Sequence, residues 1–393
     1  MGTKAFLSAN EAAANGVRLA NPDVIAAYPI TPQTTLVEKL ADFCANDELA
    51  STYMMVESEH SAMAAALGAS MMGVRTFTAS SSQGLLYMCE MLHYTSGARH
   101  PVVMADANRS TATPWNIYGD HRDAMAMRDA GFIQLYVESG QEALDTMLQA
   151  YKLAESPEVM IPVMVNLDGF TLTHTYENVD IPDQAEVDSF LPPFKTTNKM
   201  DISDPKSLCA TIGPAFHTEG RMQQCEAFEA AKKRIVEIDE EFADKFGRAY
   251  GGLYEEFMCE DADYVIVALG SVAGTVRSVV KKLRAEGEKV GLIKLRSFRP
   301  FPKEFFASLA GRFKALGVID KSVSFGYEGT VYSEVKAALY GGKVHSTKTA
   351  DFICGLGGRD IADKDVVDMY SILKNLAFGK EEKEVQFIGR KWD

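Results

Sequence analysis

The stretch Val24-Ile25-Ala26-Ala27-Tyr28-Pro29-Ile30-Thr31-Pro32-Gln33-Thr34-Thr35-Leu36 sets the reading of the fold. A short apolar run ends in a proline-punctuated turn, and an amphipathic pattern follows over 34–44. That is strand, turn, helix. The two prolines fix the backbone of the turn. The same change of period recurs along the first 170 residues. Strands are predicted at 24–28, 51–56, 75–79, 101–105, 133–137 and 161–166, and helices at 34–44, 61–72, 83–96 and 141–155. Such alternation builds βαβ units and a parallel sheet.

Residues 170–218 lose the periodicity, and Pro182, Pro192, Pro193, Pro205 and Pro214 punctuate them. Phe190, Leu191 and Phe194 argue for an ordered connection, not a free linker. A helix is predicted over 219–246, with Cys225, Phe228, Ala231, Ile235, Ile238, Phe242 and Phe246 at steps of three and four, a core-packing stripe. A second α/β unit is predicted from 261, with strands at 264–269, 290–295, 316–319 and 352–354 and a helix at 275–285. The expected division is therefore 1–218, 219–260 and 261–393.

Of 393 residues, 47% are hydrophobic and 24% charged, and 54 acidic residues outweigh 40 basic ones, for a net charge of −14. This balance opposes nucleic-acid binding, which needs clustered Lys and Arg. No signal-peptide pattern opens the chain and no run of about 18 apolar residues crosses a membrane, so a cytoplasmic protein is expected. Cys44, Cys89, Cys209, Cys225, Cys259 and Cys354 are scattered, with no CxxC pair. Iron–sulfur clusters and zinc sites favour closely spaced thiolates, so no metal is expected on this chain.

Three strand ends carry candidate chemistry. Thr31 lies in the first turn, and ligands of open parallel sheets bind at that edge; a rigid turn with a helix cap is the plainer reading. Glu57-Ser58-Glu59-His60-Ser61 opens an Ala-rich helix, where an acid either caps the helix or faces a ligand. Asp106-Ala107-Asn108-Arg109-Ser110 precedes a polar, aromatic loop. Arg109 there either grips a carboxylate by two parallel hydrogen bonds or pairs with Asp106 or Asp123. Gly355-Leu356-Gly357-Gly358-Arg359-Asp360 is a weak nucleotide fingerprint, better read as a glycine turn with Asp360 capping the last helix.

Taken in order, several motifs resemble the alpha subunit of the pyruvate:ferredoxin oxidoreductase family. They are Tyr28-Pro29-Ile30-Thr31-Pro32, Val56-Glu57-Ser58-Glu59, Thr78-Ala79-Ser80-Ser81-Ser82-Gln83-Gly84, Asp120-His121-Arg122-Asp123, Arg128-Asp129-Ala130-Gly131, Phe246-Gly247-Arg248-Ala249-Tyr250-Gly251-Gly252, Gly270-Ser271, Arg299-Pro300-Phe301-Pro302 and the final glycine turn. The resemblance implies a pyrimidine-binding domain for thiamine diphosphate, followed by a transketolase C-terminal-like α/β domain. It implies that Tyr28, Pro29, Ile30 and Glu59 meet the cofactor, that Glu59 shares a proton with the aminopyrimidine ring, and that Thr31 and Arg109 contact the substrate. It assigns the pyrophosphate and Mg2+ to a beta subunit and the [4Fe-4S] clusters to partner chains of a complex with beta, gamma and delta subunits. The implied reaction is oxidative decarboxylation of pyruvate with coenzyme A, electrons passing to ferredoxin. His60-Ser61 stands where many relatives carry smaller residues. Pyruvate is favoured because a second substrate carboxylate would need a second cation, while position 31 is a neutral Thr. Branched-chain 2-oxoacids, 2-oxoglutarate and oxalate remain alternatives, as does a non-catalytic assembly subunit.

Overall fold

The protein is described by a computed structural model over residues 2–392. Its first part runs β1 (Thr3–Ser8), α1 (Ala9–Ala20), β2 (Val24–Ala27), α2 (Thr34–Ala45), β3 (Thr52–Met55), α3 (Glu59–Ser70), β4 (Thr76–Ser80), α4 (Ser82–Tyr87), α5 (Cys89–Gly97), β5 (Val103–Asn108), α6 (Arg122–Ala126), β6 (Ile133–Tyr136), α7 (Gly140–Ala154), β7 (Val163–Asp168), β8 (Tyr176–Ile181), α8 (Gln184–Phe190) and α9 (Pro214–Phe246). The second part runs β9 (Tyr254–Phe257), β10 (Tyr264–Ala268), α10 (Val272–Ala285), β11 (Val290–Leu295), β12 (Ser297–Arg299), α11 (Lys303–Ser308), β13 (Ala315–Asp320), α12 (Thr330–Tyr340), β14 (Lys348–Ile353), α13 (Asp363–Ala377) and β15 (Val385–Phe387).

Two mainly parallel sheets result, as the alternating pattern requires. The first has the order β12-β6-β7-β5-β4-β2-β3, with only β12 antiparallel. The second has the order β15-β14-β13-β10-β11-β9, with only β9 antiparallel. Strand β12 leaves the second part of the chain and closes the edge of the first sheet on β6. One face of the first sheet packs under α1, α2, α7 and α9. Its other face shares a continuous core with the second sheet, where Met104, Tyr136 and Met164 join Val265, Ile293 and Val318. The two units are thus fused by apolar contact, and the loops between them are held on both sides.

Several local readings change. The helix expected over 83–96 breaks at Met88 into α4 and α5. The N-terminal β1 and α1 are not among the predicted elements; ten of the twelve α1 residues are buried, and Glu11 and Arg18, seven apart, mark its outer face. The aperiodic region contains β8, paired with β1, and α8; Phe190 and Leu191 are buried there, in keeping with an ordered connection. The long helix starts at Pro214, suited to a first helical turn, and ends at left-handed Gly247. Asp360 does not cap the last helix. It is exposed, and Ala362 takes the cap position. Ile361 packs against the second core, which carries the chain past Asp360 before the helix begins.

Candidate active site

Register brings the motifs together. Ala27 pairs with Met55, Ile25 with Phe77, Ser80 with Asp106, and Asn108 with Asp168. The turns after β2, β3, β4, β5 and β7 therefore share one carboxyl edge, where open parallel sheets present their sites.

The turn after β2 is braced from beneath. Gln33, fully buried, donates to the carbonyls of Tyr28 and Ala79, both at 3.1 Å. Asn10 of α1 donates to Pro32 O at 2.7 Å and to Thr35 Oγ1 at 2.6 Å. Gln33 occupies the cap position of α2 without a side-chain bond, so the threonines do not cap this helix. Tyr28 and Ile30 are half-buried, while Pro29 and Thr31 are exposed.

The two glutamates after β3 part company. Glu57 is exposed and accepts a hydrogen bond from Ser61 Oγ at 2.5 Å. Ser58 caps α3, accepting from the Ser61 N–H at 3.2 Å. Glu59, the first residue of the helix, is only 8% exposed. Among the described residues no donor reaches its carboxylate. His60 turns to Glu90 at 3.4 Å and to the ring of Tyr87, so His60 and Ser61 serve the helix start and its surface.

Glu59 packs closely against the bare backbone of Gly84. A Cβ on Gly84 would lie 2.6 Å from Glu59 Oε1 and 2.6 Å from Ser80 Oγ. That Ser80 hydroxyl is buried without a hydrogen-bond partner. Buried polar groups are ordinarily paired, so an unpaired hydroxyl beside a nearly buried carboxylate suits an incoming polar ligand.

Arg109 is 5% exposed. It forms no ion pair among the described residues, so the pairing with Asp106 or Asp123 left open by the sequence does not occur. Its Nη1 donates to Thr31 O at 2.9 Å and its Nε to Asn116 O at 3.3 Å, with Trp115 5.5 Å across the guanidinium. Burial lowers its pKa, against the charge of Asp123. Thr31 and Arg109 are thus joined through the threonine carbonyl.

Asp123 acts on the backbone instead. Its Oδ2 accepts from the N–H groups of Arg109 at 2.8 Å and Ser82 at 2.9 Å, tying the Arg109 turn to the start of α4. Burial pushes its carboxyl up to about 7. Burial and then the charge of Asp123 hold Asp106 well above the usual carboxylate range. Asn108 Nδ2 bridges Asp106, Asp123 and Asn166. His121 and Lys321 each reach Asp168 Oδ1 at 2.7 Å, and Ser271 donates to Oδ2. Burial opposes the charge on Asp168, yet Lys321 and His121 hold its carboxyl well below the usual range. The Asp120-His121-Arg122-Asp123 motif is therefore a junction between units. Sequence reasoning missed Ser80 and Gly84 as neighbours of Glu59, and took Asp123 as a partner of the Arg109 side chain where it holds the backbone. The glycine at a strand-to-helix turn was the available signal.

Comparison with known proteins decides the family. Residues 15–240 match the family described as pyruvate flavodoxin/ferredoxin oxidoreductase, thiamine diphosphate-binding, and residues 262–366 match pyruvate:ferredoxin oxidoreductase core domain II. The chain belongs to the pyruvate:ferredoxin oxidoreductase family. Its enzyme class is that of the 2-oxoacid:ferredoxin oxidoreductases, and its first part is a thiamine-diphosphate-binding domain. The chain is 46% identical to pyruvate synthase subunit PorA of Methanothermobacter thermautotrophicus over 98% of each chain. It is 45% identical to ketoisovalerate oxidoreductase subunit VorA of Pyrococcus horikoshii, covering 98% of this chain and 97% of that one. The fold is similar to a 2-oxoglutarate:ferredoxin oxidoreductase from Magnetococcus marinus solved with 2-oxoglutarate, coenzyme A and succinyl-CoA, with a TM-score of 0.72 at 20% identity. That match covers 94% of this chain and 65% of the other. The PorA and VorA relatives are both named as subunits. Among the described residues no helix is long and apolar enough to cross a membrane.

Proposed function

We propose that this chain is the alpha subunit of a cytoplasmic pyruvate:ferredoxin oxidoreductase, with Glu59 as its acid–base group and Arg109 as the substrate's carboxylate partner. The observation that carries this is the Glu59 carboxylate, nearly buried, without a donor among the described residues, and packed on Gly84 beside the unpaired Ser80 hydroxyl. It stands on the same sheet edge as Arg109 and Thr31. The residues fit an aminopyrimidine ring: Glu59 offers a carboxylate, Ser80 an unpaired hydroxyl, and Tyr28, Pro29 and Ile30 a rigid wall. Thiamine diphosphate, when bound, supplies the nucleophilic carbon and the electron sink for decarboxylation.

The chain's own residues do the rest. Glu59 holds a proton at its carboxylate for a ring nitrogen, a role that burial strengthens because no water competes. Arg109 keeps N–H donors beyond those bonded to the Thr31 and Asn116 carbonyls, and a substrate carboxylate accepts hydrogen bonds from them. The Thr31 hydroxyl adds a neutral contact.

A partner subunit bearing the pyrophosphate and Mg2+ site is supported by the surface beside Glu59. Helix α3 is apolar on nearly every side, and such helices are covered in the working protein. Ala64 and Ala65 are only half covered, a Cβ added at Gly68 would meet no atom within 4 Å, and Met54, Met55 and Met72 are exposed. The six cysteines are unpaired and scattered, which supports placing the clusters that pass electrons to ferredoxin on partner chains with gamma and delta subunits. The name of the VorA relative, at nearly the same identity as the PorA relative, supports a branched-chain 2-oxoacid as the second reading.

The test is coenzyme-A-dependent ferredoxin reduction by the assembled complex on a panel of 2-oxoacids. Highest kcat/KM on pyruvate is the expected result. A preference for 2-oxoisovalerate replaces pyruvate with the branched-chain reading, and no turnover on any 2-oxoacid rejects the proposal.

A further inference from the structure

The loop that carries Asn116 is held by the second α/β unit. Asn116 Nδ2 donates to Gly357 O at 2.9 Å, and its Oδ1 accepts from the Tyr118 N–H at 2.6 Å. Gly358 N donates to Gly119 O at 2.7 Å, and Gly357 N to Asp120 Oδ2 at 3.2 Å. The glycine turn is needed for this approach. A Cβ on Gly357 would stand 2.6 Å from Asn116 Nδ2, and one on Gly358 would stand 2.4 Å from Tyr118 Cβ. Both glycines have positive φ, +60° and +75°. The Asn116 carbonyl then accepts from Arg109 Nε and from Ser110 Oγ, at 3.3 and 3.1 Å. A continuous chain of bonds thus runs from the 355–358 turn, through one asparagine, to the guanidinium.

We propose that Asn116 is a positioning residue, through which the Gly357 turn of the second unit fixes the guanidinium of Arg109 for a substrate carboxylate. This rests on the reading of Arg109 as that carboxylate's partner. A guanidinium grips a carboxylate with a rigid planar fork, so its aim matters as much as its charge. Two of its hydrogen bonds go to carbonyls, and the one on Asn116 can move with its loop. The glycine motif of the second unit thereby gains a role at the site.

The experiment uses the assembled complex with Asn116→Ala, Gly357→Ala, Arg109→Ala and their pairs. Asn116→Ala should raise KM for the 2-oxoacid about tenfold while kcat stays within about twofold, a loss equal to about 1.4 kcal/mol. Gly357→Ala should do the same, and the two together should cost no more than either alone. In the Arg109→Ala background, Asn116→Ala should add nothing. A purely structural asparagine would lower kcat and melting temperature together and would act regardless of Arg109. Full additivity with Arg109→Ala, or an unchanged KM in both Asn116→Ala and Gly357→Ala, overturns the inference. An unchanged KM in Arg109→Ala itself overturns the substrate reading beneath it. Should Asn116→Ala fail to fold, Asn116→Asp keeps the shape and the Tyr118 bond but sets an oxygen against Gly357 O, and the same KM criterion decides.

Discussion

Replacing Gly84 by alanine separates the site's geometry from the protein's stability. Gly84 lies within α4, where alanine is favoured over glycine by about 1 kcal/mol. The atoms nearest the new methyl would belong to two side chains, with Glu59 Oε1 and Ser80 Oγ each 2.6 Å away. Ordinary contact begins at 3.4 Å, so each oxygen must retreat by about 0.8 Å. Glu59 Cγ, 2.8 Å away, must shift as well, a cost that the helix gain of about 1 kcal/mol offsets in part. The carboxylate, however, leaves its place, and a misplacement of about 1 Å at a reacting group costs on the order of a hundredfold in rate. Gly84→Ala should therefore cut 2-oxoacid-dependent ferredoxin reduction by about ten- to a hundredfold. KM for the 2-oxoacid should hold, because Arg109 is untouched, and the melting temperature should change little. Steady-state kinetics of the complex and a thermal melt read both quantities. Activity within twofold of wild type at an unchanged melting temperature would show that the Glu59 position is not critical and would refute the reasoning.

Three further outcomes follow from other contacts. Arg109→Ala should raise KM or lower kcat/KM by about ten- to a hundredfold, since a charged hydrogen bond contributes about 1.5–3 kcal/mol. Arg109→Lys should restore it only in part and Thr31→Val should do less harm; a fall in melting temperature at constant KM would make Arg109 a loop brace. Lys321→Met removes a cation from the buried carboxylate of Asp168 and should destabilise the chain by about 3–5 kcal/mol in denaturant titration of the complex, with a loss under 1 kcal/mol counting against the junction. His100 is fully buried with both ring nitrogens unpaired, and burial lowers its pKa to about 4. The unfolded chain therefore takes up this proton first as pH falls below about 6.5. Its contribution is intact above that pH and is lost towards pH 4, by up to about 3 kcal/mol. His100→Leu should flatten that part of the melting profile, and a parallel profile would contradict it.

How much of this was legible in the sequence depends on the element. Strands β2 and β4 to β7 read correctly because buried parallel strands are apolar runs cut off by turns, and β10, β11 and β13 read for the same reason; β3 is an exposed edge strand that read because its residues are still apolar. The edge strands β1, β8, β9 and β15 did not. They are half-exposed, and their mixed residues carry no period. Nor did β12, three residues long, whose place is set by a partner strand more than 160 residues away. The site was partly legible. Thr31, Glu59 and Arg109 each follow a strand that ends at the same edge, so the alternation alone places them together. That the Arg109 guanidinium bonds to carbonyls while Asp123 holds its backbone could not be read, because the path of the loop between Arg109 and Asp123 is set by tertiary contacts. The role of Asp120, His121 and the final glycine turn was also hidden, since it exists only where the two units touch.

The central claim is that Glu59 shares its proton with the cofactor's aminopyrimidine ring. Hydrogen–deuterium exchange at the thiazolium carbon of thiamine diphosphate in the assembled complex, wild type against Glu59→Gln, tests it most directly. The account predicts exchange slowed by about 10²–10⁴-fold, the scale of a positioned acid–base group, with cofactor still bound and the melting temperature unchanged. Exchange at the wild-type rate in the Glu59→Gln complex would contradict it and remove Glu59 from the role.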